Sequence, residues 1–331
     1  VPGLPTIAMT HYYNIYGLSV RSSRKIELLN ELAEPSPVDL SVTWSSAQVS
    51  IPDVALIWQP VVTRQLSTKG RISFFSAESA SGIYLKLTFI TAHGDLSVLM
   101  NPDKKNVWII HSNTEPVSNM NSLFVGSILG CILRLRGTLC LHGSVINIDG
   151  QAVILTGKKK SGKSTTATAF SRLGYKVMAD DIAVINEVNG DFFVQPGYAK
   201  VRLRPQPLEV FYPENTYEFD SVYSHRDSKY SDLKGSFHNT PLRLGAIYLL
   251  SETEETDGVP VVKSTSAERL VQLHSNTFAG YVLSAGQRKA EFEMLGRLSL
   301  KVPVKYLHFG RNVKLVYQQC GVMLDDLKKT V

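Results

Sequence analysis

"ILTGKKKSGKSTTATAF", residues 154–170, decides the reading of this chain. Gly157, Gly162, Lys163 and Ser164 fit the pattern G-x-x-x-x-G-K-[ST], with the apolar run "QAVIL" before it and the helical pattern "STTATAFSRL" after it. Gly174 is placed to end that helix with a left-handed cap. Strand, glycine loop and helix in this order make a phosphate site for a physical reason. Glycines at positive φ let the backbone approach an anion, so that successive N–H groups and the helix N-terminus face it. Lys163 is then expected at the β- and γ-phosphates of a nucleotide, and the Ser164 hydroxyl on magnesium. The expected nucleotide-binding segment is Gly157, Lys158, Lys159, Lys160, Ser161, Gly162, Lys163, Ser164 and Thr165. Lys158, Lys159 and Lys160 fill variable positions, where they either strengthen the positive field around a triphosphate or stand as solvated loop tips.

Working outward, "LCLHGSVINI" and "QAVILTG" read as two strands joined at Asp149-Gly150, a pair that favours a two-residue hairpin turn. "YKVMADDIAVI" is the next strand, and "NEVNGDFFVQPG" a second hairpin turning at Asn189-Gly190. Asp180 and Asp181 fall about twenty residues past the loop, where phosphoryl transfer needs one carboxylate for magnesium and another for the acceptor's proton. Two adjacent carboxylates with a cation between them can divide that work.

The first third of the chain carries no such motif. "HYYNIYGLSV", "VDLSVTWSS", "GIYLKLTFI" and "KNVWIIHS" read as strands, and "RKIELLNEL" has helical spacing. "AEPSPVD" reads as an exposed connection, and the polar "SNTEPVSNMNS" (112–122) as the boundary between two parts. A helix is expected from near Asn121 to Gly137; its apolar run "LFVGSILGCIL" is too short to span a bilayer and reads as buried. The expected division is 1–8, an expression remnant ahead of Met9; 9–113, a β-rich N-terminal domain; and 114–331, the phosphate-loop domain. No signal peptide is expected from "VPGLPTIA".

The 331 residues are 44% hydrophobic and 19% charged, enough to bury a core. A net charge of +6 is mild and suits a phosphate site as well as a basic surface, so no nucleic acid and no membrane are expected as partners. Cys131, Cys140 and Cys320 are odd in number and lack metal-site spacing, which argues against a disulfide framework and a structural zinc and points to a reducing, cytoplasmic compartment.

"LHGSVINIDGQAVILTGKKKSGKSTTATAFSRLGYKVMADDIAVI" resembles the catalytic core of the bacterial HPr kinase/phosphorylase family: His-Gly before the hairpin, GxxxxGKS, and an ADD after the helix. "YYNIYGLSV" and "LRLRGTLCLHGSV" are similar to the HPr-kinase-like proteins encoded with lasso-peptide biosynthetic genes. The resemblance implies an α/β P-loop core of the HPr kinase and phosphoenolpyruvate carboxykinase type. It further implies ATP and Mg2+ as cofactors and a serine hydroxyl as acceptor; for the lasso-associated group this is the C-terminal serine of a ribosomally made precursor peptide.

By the same analogy Asp181 goes to magnesium and Asp180 to the hydroxyl as general base, with the reverse order as the alternative. His142 corresponds to the family's histidine near the γ-phosphate, or is a structural histidine. Arg202 and Arg204 of "GYAKVRLRP" are candidates for transition-state charge or the acceptor, or form a solvated strand face. "VRLRPQPLEVF" stands where true HPr kinase/phosphorylases carry E-I-R-G-L-G-I-I-D, a departure that bears on HPr recognition and the reverse reaction.

"YSHRDSKYSDLKGSFHN" (223–239) is expected to be a mobile loop, with Lys229 and Lys234 placed to contact phosphate. The tail reads as a strand and a packing helix, with Asp325-Asp326 exposed. The alternatives to a peptide kinase are a kinase of an HPr-like carrier or small metabolite, and a nucleotide-sensing module without catalysis. A homo-oligomer is compatible with either.

Overall fold

A computed structural model describes residues 10–35, 37–46, 56–67, 70–90, 94–112, 114, 116–213, 219–222, 227–253, 260–264, 268–310 and 312–329. The expected remnant, residues 1–8, lies outside them. The chain forms two compact units, Val1–Phe124 and Val125–Val331.

The first unit is an eight-stranded sheet built from β1 (His11–Ile15), β2 (Leu18–Ser22), β3 (Leu40–Ser45), β4 (Gln59–Ser67), β5 (Gly70–Ser79), β6 (Gly82–Ile90), β7 (Asp95–Met100) and β8 (Asn106–His111). The spatial order is β1-β2-β3-β8-β7-β6-β5-β4, with β2–β3 and β3–β8 parallel and the other pairs antiparallel. Alternation fixes the register: Val42 faces Val107, Ile109 faces Val98, Val98 faces Leu87 and Leu87 faces Phe74, so one continuous face is apolar. The helix expected over "RKIELLNEL" does not form. Ile26 and Leu29 are buried, but a turn places them, the Tyr13 hydroxyl accepts the Ile26 N–H at 2.8 Å, and Leu32 bridges to Tyr12. Tertiary hydrogen bonds outweigh a propensity worth a few tenths of a kilocalorie per residue, ~0.5 kcal/mol. The unit closes with α1 (Val117–Leu123), which starts four residues ahead of the expected point, inside the segment read as a polar boundary.

In the second unit the chain continues through a π turn (Phe124–Ile128) into α2 (Leu129–Leu135), and Ile128, Leu129, Cys131 and Ile132 are fully buried. β9 (Leu139–Ile148) and β10 (Gln151–Thr156) form the expected hairpin, with φ of 51° and 82° at Asp149 and Gly150. Both positive values match the twist of flanking strands, which is why the Asp-Gly pair selects this turn. α3 (Lys163–Arg172) follows the glycine loop and ends as expected. Gly174 has φ 92°, its N–H goes to Ser171, the Tyr175 N–H reaches the Phe170 carbonyl, and the two rings meet edge-on at 5.5 Å.

What reads as one strand, "YKVMADDIAVI", is two: β11 (Lys176–Ala179) and β12 (Ile182–Val188), broken at the paired aspartates. β13 (Asp191–Gln195) completes the second expected hairpin, β14 (Lys200–Leu203) leads into α4 (Pro205–Phe211), and β15 (Asp220–Ser221) and β16 (Lys229–Asp232) join β14 in a small sheet. The segment expected to be a mobile loop therefore holds β16, while its residues 223–226 lie outside the described residues.

β17 (Leu242–Glu252), β18 (Val261–Ser264), α5 (Arg269–Ser275), α6 (Ala285–Lys301), β19 (Val304–Phe309) and α7 (Val316–Lys328) complete the unit. Strand pairing runs β10-β9-β12-β13-β17-β19-β18, and β10 also pairs parallel with β17, so five strands close on themselves. Alternation along β10 sends Val153 and Leu155 to a core with α3 and α7, and Ala152 and Ile154 to a second core with α6. Full burial of one such aromatic, Phe170, contributes about 2 kcal/mol. Asp325 is exposed as expected, but Asp326 is not. Its carboxylate accepts from the Tyr248 hydroxyl at 2.5 Å and the Lys305 ammonium at 2.8 Å, because that turn of α7 packs over β17 and β19. Among the described residues, no helix is long and apolar enough to cross a membrane.

Candidate active site

β9 is long enough to pair with both halves of the broken strand: Val145–Asn147 carry β11, and Leu139–His142 carry β12. The break therefore sits opposite Gly143 and Ser144, and the chain crosses it with Asp181 at φ 74°. Left-handed backbone at a residue other than glycine is uncommon and concentrates at functional sites. Here it separates the two carboxylates.

Asp180 turns inward and is 3% exposed. Its Oδ1 accepts from Ser144 Oγ at 2.6 Å and from Ser164 Oγ at 2.8 Å, and its Oδ2 accepts the Arg202 backbone N–H at 2.9 Å. Burial and then the charge of Asp181 push its pKa up, against those three donors. Asp181 turns toward the pocket. Arg202 Nη2 donates to its Oδ1 at 3.1 Å, and His142 Nδ1 lies 3.7 Å from the same atom. Burial works to raise this carboxyl too, but the charges of Arg202, His142 and Lys163 prevail and hold it below the usual range. His142 Nδ1 is 2.9 Å from the Asp181 carbonyl oxygen, which can only accept, so Nδ1 carries the proton and Nε2 is the acceptor nitrogen. Burial lowers the His142 pKa, with the Asp181 carboxylate working against it.

The loop is built as a cradle. Gly157 has φ 142°, and a Cβ there would come 2.6 Å from the Leu250 carbonyl oxygen; Gly162, at φ 84°, starts α3. Lys163 is buried and donates to the carbonyls of Gly157 and Lys158, each at 3.0 Å. Desolvation lowers its pKa while Asp180 and Asp181 raise it. Ser161 is 6% exposed, and its buried hydroxyl has no hydrogen-bond partner among the described residues. An orphaned buried hydroxyl in a glycine loop that opens a helix suits a phosphate oxygen.

For a metal, Ser164 and Asp180 offer only hard oxygens, and the described residues hold no cluster of three or more His, Cys, Asp or Glu. That donor set fits Mg2+ completed by phosphate oxygens and water, and does not fit zinc.

A pocket of about 710 Å³ joins these groups. Its lining includes His142, Lys159, Ser164, Thr165, Asp181, Arg202, Arg204, Pro205, Phe309 and Val313. Of the residues expected from sequence, His142, Lys159 to Thr165, Asp180, Asp181, Arg202 and Arg204 all line it. Gly157 and Lys158 lie behind, presenting their carbonyls to Lys163. Lys229 is not in the lining. It stands in β16 and donates to Ser221 Oγ at 2.8 Å, while its neighbour Ser228 does line the pocket. Lys234 is exposed and outside the lining. Ser144 escapes a motif search, although its signal exists: it stands two residues after His142 on one strand, hence on the same face.

A mixed α/β, sheet-rich core carrying a glycine loop of G-x-x-x-x-G-K-S pattern is the class these observations define. No protein-family model matches the chain. It is 27% identical over 148 residues to the HPr kinase/phosphorylase of Clostridium tetani, covering 43% of this chain and 46% of that protein. It is 38% identical over 61 residues to that of Bacillus velezensis, covering 18% and 20%. These homologues support the HPr kinase/phosphorylase family, and the chain spans less than half the length of the curated relatives it matches. A solved Hpr(Ser) kinase/phosphatase from Coxiella burnetii aligns with 58% of this chain and 99% of that one, at 12% identity and a TM-score of 0.31, too loose a superposition to carry an argument.

Proposed function

We propose that this chain is an ATP- and Mg2+-dependent kinase of a serine hydroxyl. One observation carries the reading: of two adjacent carboxylates, Asp180 is held by the loop serine, Ser164, and Asp181 faces the pocket beside Arg202 and His142. This geometry favours the reverse of the order that family analogy suggests. Asp180 and Ser164 would hold Mg2+, which neutralises phosphate charge when bound. Asp181 would accept the serine proton. The serine oxygen then bonds to the γ-phosphorus as the bond to the bridging oxygen breaks, and the nucleoside diphosphate leaves with that electron pair.

A low pKa does not disqualify Asp181. In a loose transition state the proton moves late, and kinases use ordinary aspartates in this role. Arg202 and the Asp181 carbonyl's bond to His142 fix the carboxylate's direction, and Lys163 releases its two loop carbonyls to meet phosphate oxygens.

The acceptor we propose is the C-terminal serine of a lasso precursor peptide, supported by the resemblance at both ends of the matched sequence. HPr-like carriers are the second reading, favoured by the curated relatives. A cytoplasmic location belongs to the same proposal, supported by three free, buried thiols. Intact-mass analysis of both acceptors after incubation with protein, ATP and Mg2+ tests it. A phosphate gain on the serine-ending peptide, absent when that serine is alanine and lost with Asp181→Asn, is expected. Gain on HPr alone selects the second reading, and no gain despite tight ATP binding rejects both in favour of a nucleotide sensor.

A further inference from the structure

We infer that the connection between α5 and α6 belongs to the catalytic apparatus and that Phe278 within it is a positioning residue for the His142 ring, an inference that rests on the phosphoryl-transfer reading. β9 leaves a stretch of its ladder to be filled. β12 pairs with Leu139–His142 along one side, but on the other side β10 reaches only as far as Gly143. Asn276, Thr277 and Phe278 take up the open length. The His142 N–H donates to the Asn276 carbonyl and the Phe278 N–H to the Cys140 carbonyl, each at 2.8 Å, with Thr277 bridged to Leu141. A short strap thus runs as an extra strand beside His142. It is held at both ends: Leu273 before it and Val282 and Leu283 after it are buried, and α6 then opens with a capping box at Ser284 and Gln287. Between them Ala279 takes left-handed backbone at φ 46°, a conformation that persists only where the surroundings fix it.

The strap brings an aromatic ring to the histidine. The Phe278 and His142 rings lie 6.4 Å apart, tilted by 45°. Gly130 on α2 makes room for this: a Cβ there would collide with Phe278 Cε1 and come 2.9 Å from Ile182 Cδ1. Ile182 is the cross-strand partner of His142 and directly follows Asp181. Phe278 itself does not line the pocket, so its effect on the site passes through the histidine. The second side-chain torsion of histidine is broad and roughly two-fold, which leaves the ring's orientation to its packing as well as to its hydrogen bond with the Asp181 carbonyl. Without the phenyl ring, His142 is free to turn away from that carbonyl, and Asp181 loses one of the contacts that direct its carboxylate.

Single-turnover transfer and ATP titration of the whole chain test this, with whichever acceptor wild type phosphorylates, the serine-ending peptide or HPr. Phe278→Ala is expected to slow transfer about tenfold while ATP affinity stays within twofold. In a His142→Ala background the same substitution should change the rate less than twofold, because the ring it acts through is gone. Phe278→Leu, which keeps apolar bulk, should recover the rate to within two- to threefold of wild type, and it carries the same comparison if the alanine variant does not fold. An unchanged rate in Phe278→Ala overturns the inference. A loss that multiplies with that of His142→Ala, or that appears equally in ATP affinity, also overturns it, and each of these outcomes leaves the kinase reading intact. Absence of transfer by wild type to either acceptor overturns the kinase reading and this inference together.

Discussion

Ser164 donates its hydroxyl to both oxygens of Asp180, at 2.8 and 3.1 Å, and this bond ties the first residue pair of α3 to the break between β11 and β12. The neighbouring Asp181 takes no part in it. If the carboxylates divide their work as proposed, their substitutions separate. Asp180→Asn should weaken magnesium-dependent ATP binding about tenfold as well as slowing transfer. Asp181→Asn should lower kcat by roughly a thousandfold while ATP affinity stays within threefold, since it removes a group needed only as the proton moves. Single-turnover transfer and ATP titration with and without Mg2+ check this, and equal binding losses in both variants would reject the division.

Arg134 on α2 and Glu291 on α6 form an ion pair with both side chains almost fully buried, and Arg134 also donates to the Thr138 carbonyl at 3.1 Å. Removing one partner strands a buried charge. Arg134→Met should destabilise the protein by about 3–5 kcal/mol, whereas Arg134→Met with Glu291→Leu should recover most of that loss. Chemical denaturation of the two variants measures the difference.

His238 sets a pH dependence of stability. Burial and then Lys176 lower its pKa. Its Nδ1 faces the Asn147 NH2 at 3.2 Å and its Nε2 the Thr240 hydroxyl at 2.9 Å, contacts that suit the neutral ring. The unfolded chain therefore takes up this proton before the folded one does. The contribution is complete above the unfolded pKa of about 6.5 and is lost as pH falls from there through the folded value. Denaturation midpoints between pH 7.5 and 5.5 should fall more steeply for wild type than for His238→Gln, and parallel slopes would reject the assignment.

The cysteines should be inert while the protein is folded. Burial pushes the thiols of Cys131, Cys140 and Cys320 up to about 12, so little thiolate exists at pH 8. A thiol-disulfide reagent should label none within minutes under native conditions and all three in denaturant.

Local chemistry explains what could be read without coordinates. The loop, both hairpin turns and the cap at Gly174 each depend on residues adjacent in sequence, whose φ preferences and hydrogen-bonding atoms act over two to six positions. That is why Gly157, Lys163, Ser164 and the paired aspartates stand out in the sequence, and why Asp149-Gly150 and Asn189-Gly190 turn where expected. "RKIELLNEL" failed the same logic because Ile26 answers to Tyr13 and Leu32 to Tyr12, each more than ten positions away.

By itself, the sequence determined the glycine loop, the helix that follows it and the hairpin turns on either side, because these follow from short-range backbone geometry. Which aspartate faces which way was decided only by tertiary structure. A strand that pairs β9 on both sides of a two-residue break must reverse its side chains there, and that break exists because Ser144, Ser164 and the Arg202 N–H converge on Asp180 from three other elements. The same holds for the contact of Phe211 on α4 with Tyr317 on α7, residues more than a hundred positions apart in the chain.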